Sequence, residues 1–377
     1  MQPGSFALTY TVKNEARLLP LGIEYHLALG CSRVYVFWDN TTDNAPELVA
    51  KYPEVITRKS YRPEEMEDPP GWLSQILPAW GPDLDVRKRA NTYYAAVDAA
   101  KHGIEWLLSI DADELILMNR EEQTLENHVP KYLARIPENI DQLLLPNLEA
   151  VPAAAETQHP FIEWVCFLNR FPVSEFLWRY SRAALVRVSR SPKLIAWYDW
   201  LFYQLLFAGA MRRMMRSPAT NRRIPGTYFL AYVSYKSFIR TRVASEFNFT
   251  THSWWRFRRR PRNLRIGNVL HFDMLDAEYF AAKFRQRPPE RGIFHFRTEL
   301  SIVARECSLE DVRNFFNTYI AIRDPERIAR LKQRGIIVEI RSASDLLKKL
   351  LGSSRASLER DAGSEDSINA LDVQTQR

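Results

Sequence analysis

Across residues 1–110 the chain alternates short apolar, β-rich runs with segments whose apolar residues recur at helical spacing. Phe6 to Val12 is a run of the first kind; Leu18 to Leu29 has helical spacing with Gly30 as its stop; Arg33 to Trp38 is a second strand, ending at Asp39. A proline-rich loop, Arg62 to Pro82, follows. Asp85 then N-caps a helix whose apolar face takes in Ala90, Tyr93, Tyr94, Val97 and Ala100, and Gly103 closes it. Trp106 to Ile110 is the next apolar run. Strand, helix, strand, helix, strand at this spacing predicts a parallel sheet, with ligands at the carboxyl ends of its strands. Asp39, Asp111 and Asp113 stand at such ends.

Beyond residue 120 the pattern loosens. Gln142 to Leu145, Glu163 to Leu168 and Ala183 to Val188 read as strands that extend the sheet, separated by proline-containing loops. Leu194 to Met211 is an apolar run of 18 residues, broken by Asp199 and Gln204 and flanked by Lys193, Arg212, Arg213 and Arg216. That length is near the lower limit for spanning a bilayer, and the internal polar groups argue against a span. A helix lying in a membrane interface and a buried helix of the core are the two readings. From Gly352 to Arg377 the composition turns small and polar, the pattern of a disordered tail. The expected division is therefore a domain over 1–290, with a nucleotide-binding half (1–120) and an acceptor half (121–290) carrying an aromatic and basic insertion at 193–223. A helical region over 291–351 and the tail follow.

Composition changes this picture in two ways. The three cysteines, Cys31, Cys166 and Cys307, form no closely spaced pair, which excludes a zinc or dithiol motif. With strand-like residues starting at Phe6, the expected setting is a reducing, cytoplasmic one, and the sequons at Asn40 and Asn248 read as chance. The net charge of +7 is unevenly placed: residues 212–265 hold 14 Lys or Arg against Glu246, a local +13, so the remainder (38 basic, 44 acidic) is −6. Such a segment favours phosphate-rich partners, whether a nucleotide, an anionic membrane or a nucleic acid.

The richest chemistry lies in Trp106-Leu107-Leu108-Ser109-Ile110-Asp111-Ala112-Asp113-Glu114, an apolar run ending in two carboxylates one residue apart. If the chain stays extended, Asp111 and Asp113 share a face. Two adjacent hard oxygen ligands suit Mn²⁺ or Mg²⁺, ions that bridge to substrate phosphates. Such a site fits an enzyme acting on a nucleotide diphosphate.

Several stretches together resemble the GT-A type glycosyltransferases, nearest the family 2-like and family 92-like branch. They are Val12-Lys13-Asn14-Glu15-Ala16, Glu24-Tyr25-His26 before Leu29-Gly30, Val34-Tyr35-Val36-Phe37 leading to Asp39-Asn40, and Ile110-Asp111-Ala112-Asp113-Glu114. Tyr235-Lys236-Ser237-Phe238-Ile239-Arg240, His252, and Leu270-His271-Phe272 with Lys283 resemble that branch's C-terminal signals, so the likeness runs from about residue 6 to 290. The resemblance implies a Rossmann-like, mainly parallel sheet flanked by helices with a C-terminal helical and basic extension. It also implies sugar transfer from a UDP- or GDP-linked donor to a glycan or glycolipid. By the motif match Asp113 is the stronger metal ligand, Asp111 its helper, and His252 a third ligand. Asn14, Glu15, Asp39 and Arg89 would line the nucleotide pocket, and Lys236 and Arg240 would hold the diphosphate. The resemblance favours inversion, which needs a carboxylate base; Glu149, Glu156 and Glu163 are candidates, with Glu149 preferred for following the expected strand Leu143 to Pro146. One departure is Pro146-Asn147-Leu148-Glu149-Ala150, which stands where the branch has an aromatic-glycine acceptor signal.

Two other classes compete. A nucleic-acid-binding protein would use Trp254, Trp255, Phe257 and the arginines from 256 to 262, but it leaves the first 120 residues unexplained. A membrane-docked scaffold with a degenerate transferase domain is at odds with an intact Asp111, Asp113 and His252. The expected partners are therefore a nucleotide sugar, a glycan or glycolipid acceptor and an anionic membrane surface through 193–223, with nucleic acid not expected.

Overall fold

The computed structural model describes residues 1–81, 83–118, 128–169, 213–221, 223–226, 235–286 and 295–352, with isolated positions from 181 to 198. Within these the strands are β1 (Gln2–Val12), β2 (Arg33–Trp38), β3 (Val55–Lys59), β4 (Ile104–Ser109), β5 (Glu114–Leu117), β6 (Gln142–Glu149), β7 (Cys166–Leu168), β8 (Arg213–Arg216) and β9 (Arg223–Gly226). Then come β10 (Tyr235–Arg240), β11 (Phe247–Phe249), β12 (Trp254–Arg256), β13 (Asn263–Arg265), β14 (Asn268–His271) and β15 (Ile337–Glu339).

Nine of them form one sheet in the order β3-β2-β1-β4-β10-β6-β14-β5, with β13 also paired to β6. The β1, β2, β3 and β4 strands are mutually parallel. Strand β10 runs antiparallel between β4 and β6, and β14 is parallel to β6. The expected α/β architecture, a mainly parallel Rossmann-like sheet flanked by helices, is present. Its central strands read as continuous apolar runs because both faces are covered. Phe6, Leu8, Tyr10, Trp106 and Leu108 bury on one face with Leu19 and Ile23 of helix Leu19–Ala28. Ala7, Leu107 and Ile239 bury on the other with Ala95, Ala96 and Ala99 of helix Leu84–Lys101.

That second helix begins one residue before the expected cap. Asp83 is its N-cap, and its side chain accepts the Asp85 N–H at 2.8 Å. Of the later strands, Gln142 to Leu145 extends to Glu149, and Glu163 instead closes the short helix Pro160–Glu163 before β7. Of the expected strand at 183–188 the described residues, Ala184, Leu185 and Val188, are helical rather than extended, and the 193–223 insertion and the 352–377 tail fall largely outside the described residues. No helix among the described residues is long and apolar enough to cross a membrane.

The C-terminal helices are integrated with the sheet domain. Helices Ala277–Gln286, His295–Glu306 and Leu309–Phe315 share a core with Val151 and Ala155, and β15 pairs with β7. One glycine matters for the site. Gly267 has φ +34°, and a Cβ there would meet the Leu117 carbonyl oxygen at 2.5 Å. Its small size lets β14 lie against β5, setting His271 opposite Glu114.

Candidate active site

The site is built where β1, β4, β6 and β14 deliver their carboxyl ends and antiparallel β10 delivers its start. The chain leaves β4 at Ser109 and turns, the Glu114 N–H reaching the Asp111 carbonyl at 3.1 Å, before β5 begins. This corrects the expectation of a shared face: because the backbone turns between them, Asp111 and Asp113 meet different partners.

Asp111 belongs to a lysine cluster. Lys88 of the long helix pairs with one of its oxygens, and Lys236 Nζ lies 2.5 Å from the other and 3.0 Å from Glu114. Burial opposes ionisation of Asp111, yet the two ammonium groups prevail and hold it well below the usual carboxylate range. Glu114 goes the other way: burial raises it despite Lys236.

Asp113 belongs to a second cluster. Asp113, His271 and Asp273 are all buried, with candidate ligand atoms within 4.8 Å of one another. Lys283 Nζ sits 2.5 Å from Asp113 Oδ2 and 2.5 Å from Asp273 Oδ1. Strand register assembles the group: β14 beside β6 brings His271 next to Glu149, and their Nδ1 and Oε1 are 2.8 Å apart. Burial alone would lower the imidazole's pKa, but Glu149 outweighs it and His271 is raised well above its ordinary value. Burial keeps Glu149 raised as well.

The remaining expected residues divide. Asn14, at φ 57°, accepts the Thr42 N–H at 2.7 Å and the Asp43 N–H at 3.3 Å, so it shapes the loop after β2. Glu15 is half-buried at the end of β1, with Tyr279 Oη 3.4 Å away. Burial and the nearby charge of Asp113 raise its carboxyl to about 8. Asp39 is buried at the end of β2, its two oxygens taken by Arg87 at 2.6 and 2.9 Å.

Four expectations are corrected. Arg89 does not point into the pocket: it donates to the Phe249 carbonyl at 2.6 Å and Asn248 Oδ1 at 2.8 Å, tying the long helix to β11. Arg240 is at the far end of β10, bonded to the Ile140, Ile136 and Pro137 carbonyls and to Glu105; it lies four positions along the strand from Lys236, roughly 13 Å. His252 is not in the carboxylate cluster; burial and the charges of Lys236 and Lys88 lower it to about 3, so it stands as a neutral imidazole beside the lysines. Asp111, expected as a metal helper, is instead committed to Lys88 and Lys236.

Sequence reasoning missed Lys88, Arg87 and Asp273. Arg87, Lys88 and Arg89 are consecutive on one helix and point to three different places, which no periodicity distinguishes. Asp273 had a signal, two residues after the quoted His271.

No family model matches the chain. Two Arabidopsis thaliana proteins named glycosyltransferase-like are similar to it. One is 21% identical over 351 residues, covering 87% of this chain and 60% of the relative. The other is 20% identical over 354 residues, covering 87% and 68%. The chain therefore spans about two thirds of the length of these curated relatives, or less. Among solved structures, glucosyl-3-phosphoglycerate synthase from Mycobacterium tuberculosis, in complex with Mn²⁺, UDP and phosphoglyceric acid, is 11% identical over 85% of this chain and 80% of its own, with a TM-score of 0.31. Its complex with Mn²⁺, UDP and glucosyl-3-phosphoglycerate is 12% identical over 85% and 81%, also with a TM-score of 0.31. At that score the likeness carries no argument about the site. The glycosyltransferase resemblance read from the motifs is matched by the two plant relatives, which do not single out the family 92-like branch.

Proposed function

We propose that this chain, glycosyltransferase-like along most of its length, transfers a sugar from a UDP- or GDP-linked donor to a saccharide or lipid-linked acceptor with the help of a divalent metal. The observation that carries the reading is the buried Asp113–His271–Asp273 cluster at the strand ends, facing a second cluster built on Lys88 and Lys236. Two carboxylates and an imidazole, with Glu149 fixing the imidazole from behind, fit Mn²⁺ better than Mg²⁺, which prefers an all-oxygen shell, once His271 has released its proton and Lys283 has yielded the place between Asp113 and Asp273. When bound there, the metal supplies charge stabilisation to the departing diphosphate.

The chain's own residues do the rest. Lys88 and Lys236, fixed in place by their ion pairs with Asp111, offer donors to phosphate oxygens. Glu149 acts as the positioning group of His271, since its Oε1 is committed to that ring. Inversion at the anomeric carbon requires a base for the acceptor hydroxyl, and Glu15, past the end of β1 with Tyr279 Oη 3.4 Å away, is the candidate. The setting we favour is cytoplasmic.

The test is calorimetric titration of UDP, GDP and CDP into the purified chain with and without Mn²⁺. Metal-dependent binding of one nucleotide, lost in Asp113→Asn with the fold intact, is the expected result. Binding of none of the three, or equal binding by the variant, would sink the proposal.

A further inference from the structure

The ribbon after His252 is basic sequence that the candidate site does not use. Between Glu246 and Asp273 the chain carries no acid. Strand β12 pairs with β11, so its side chains alternate: Trp254 is buried against Phe249, ring centroids 4.9 Å apart, while Trp255 points outward and is 56% exposed. Phe257 and Leu264 are also exposed. Interleaved with these three apolar residues along the chain are Arg256, Arg258, Arg260, Arg262 and Arg265, all exposed. None of the five makes an ion pair among the described residues. Arg259, in their midst, turns inward to Asp141 at 2.6 Å and to Glu246.

The backbone beneath is pinned. The Trp254 N–H donates to Gln142 Oε1 at 2.6 Å, and Gln142 Nε2 donates back to the Trp254 carbonyl at 3.2 Å. At the other end the Arg262 N–H donates to Asp141 Oδ2 at 2.8 Å, and its carbonyl accepts the Asp141 and Gln142 N–H groups at 2.9 and 3.2 Å. The exposed groups are thus presented from a fixed frame at the start of β6.

We propose that this ribbon is a docking surface for anionic membranes, with Trp255, Phe257 and Leu264 entering the headgroup region and the five arginines meeting lipid phosphates and carboxylates. The charge is complementary to an anionic surface, and indole, phenyl and aliphatic groups interleaved with arginine match an interfacial segment. Leu264 decides between partners, because an aliphatic side chain gains from the acyl boundary and gains nothing from stacking on bases. The ribbon is separate from 193–223, and the inference is independent of the transfer chemistry.

The experiment is flotation of the full chain with phosphatidylcholine vesicles, with and without phosphatidylserine, at rising NaCl. Binding should need phosphatidylserine and weaken with salt. With each arginine near the surface worth about fivefold, the double variant Arg256→Gln/Arg258→Gln should bind about thirtyfold more weakly. Trp255→Ser should also weaken binding, and circular dichroism should be unchanged in both. No flotation, equal flotation with neutral vesicles, or variants that float like the parent would overturn the proposal. So would variant-sensitive binding to a single-stranded oligonucleotide in place of vesicles.

Discussion

Replacing Arg240 by methionine separates two accounts of the basic segment. The resemblance puts this guanidinium on the donor's diphosphate; the structure puts it in the floor of the sheet. There it is 2% exposed, donates to the carbonyls of Ile140, Pro137 and Ile136 at 2.7, 3.0 and 3.1 Å, and pairs with Glu105. Its guanidinium carbon lies 4.2 Å from the centre of the Trp106 ring. Methionine keeps much of the stem's packing and loses every polar contact, leaving a mostly buried carboxylate and three carbonyls without their donor. Breaking one side of a buried pair costs about 3–5 kcal/mol, which is a large share of the roughly 5–15 kcal/mol that holds a domain together. Urea unfolding should show that loss as a lower midpoint at an unchanged slope. Adding Glu105→Gln to the variant should recover part of it, because the stranded charge is gone. Nucleotide affinity of the folded variant should stay within about twofold of the parent, since no contact to the site is removed. A variant that loses nucleotide binding while losing less than about 1 kcal/mol of stability would refute the reasoning and return Arg240 to the diphosphate.

Glu15→Gln should stabilise the chain increasingly as pH rises. A carboxyl raised from 4.5 to about 8 in the folded state holds a proton that the unfolded chain releases, so the parent loses stability through that window and the amide does not. Melting temperatures from about pH 5 to 9 should diverge in the variant's favour, and parallel curves would count against a raised Glu15 carboxyl. Lys236→Met should cost about 3–5 kcal/mol in urea unfolding, because it strands buried Glu114 as well as Asp111. Lys88→Met should cost less than half of that, since Asp111 keeps Lys236 and is 35% exposed; equal losses would contradict the cluster as described.

Much of the frame was legible in local sequence. Strands β1, β2 and β4 are apolar on both faces and helix Leu84–Lys101 carries a clear apolar stripe, so periodicity found them. Strand β3 was missed because Val55–Lys59 lies at the sheet edge and is largely exposed, leaving little hydrophobic signal. Strand β5 was missed because it begins at Glu114, inside the acidic motif, where the turn after Asp111 leaves no apolar break.

The site divides along the same line. Asp111 and Asp113 are local to one run and stood out. Their partners come from Lys88 on a helix and from Lys236, His271, Asp273 and Lys283 more than a hundred residues on, joined by β10 and β14 pairing across the sheet. The resemblance flagged His271 and Lys283 but gave the metal to His252. Strand register, which local pattern does not encode, is what sets His271 beside Asp113.

The most direct measurement is an electron paramagnetic resonance titration of Mn²⁺ into the chain with UDP or GDP present, comparing the parent with Asp113→Asn, His271→Gln and His252→Gln. The account expects the parent and His252→Gln to take up one ion, and Asp113→Asn and His271→Gln to lose it. Loss of the ion in His252→Gln with uptake intact in His271→Gln would contradict the cluster, and no uptake by the parent would contradict a metal-assisted transfer altogether.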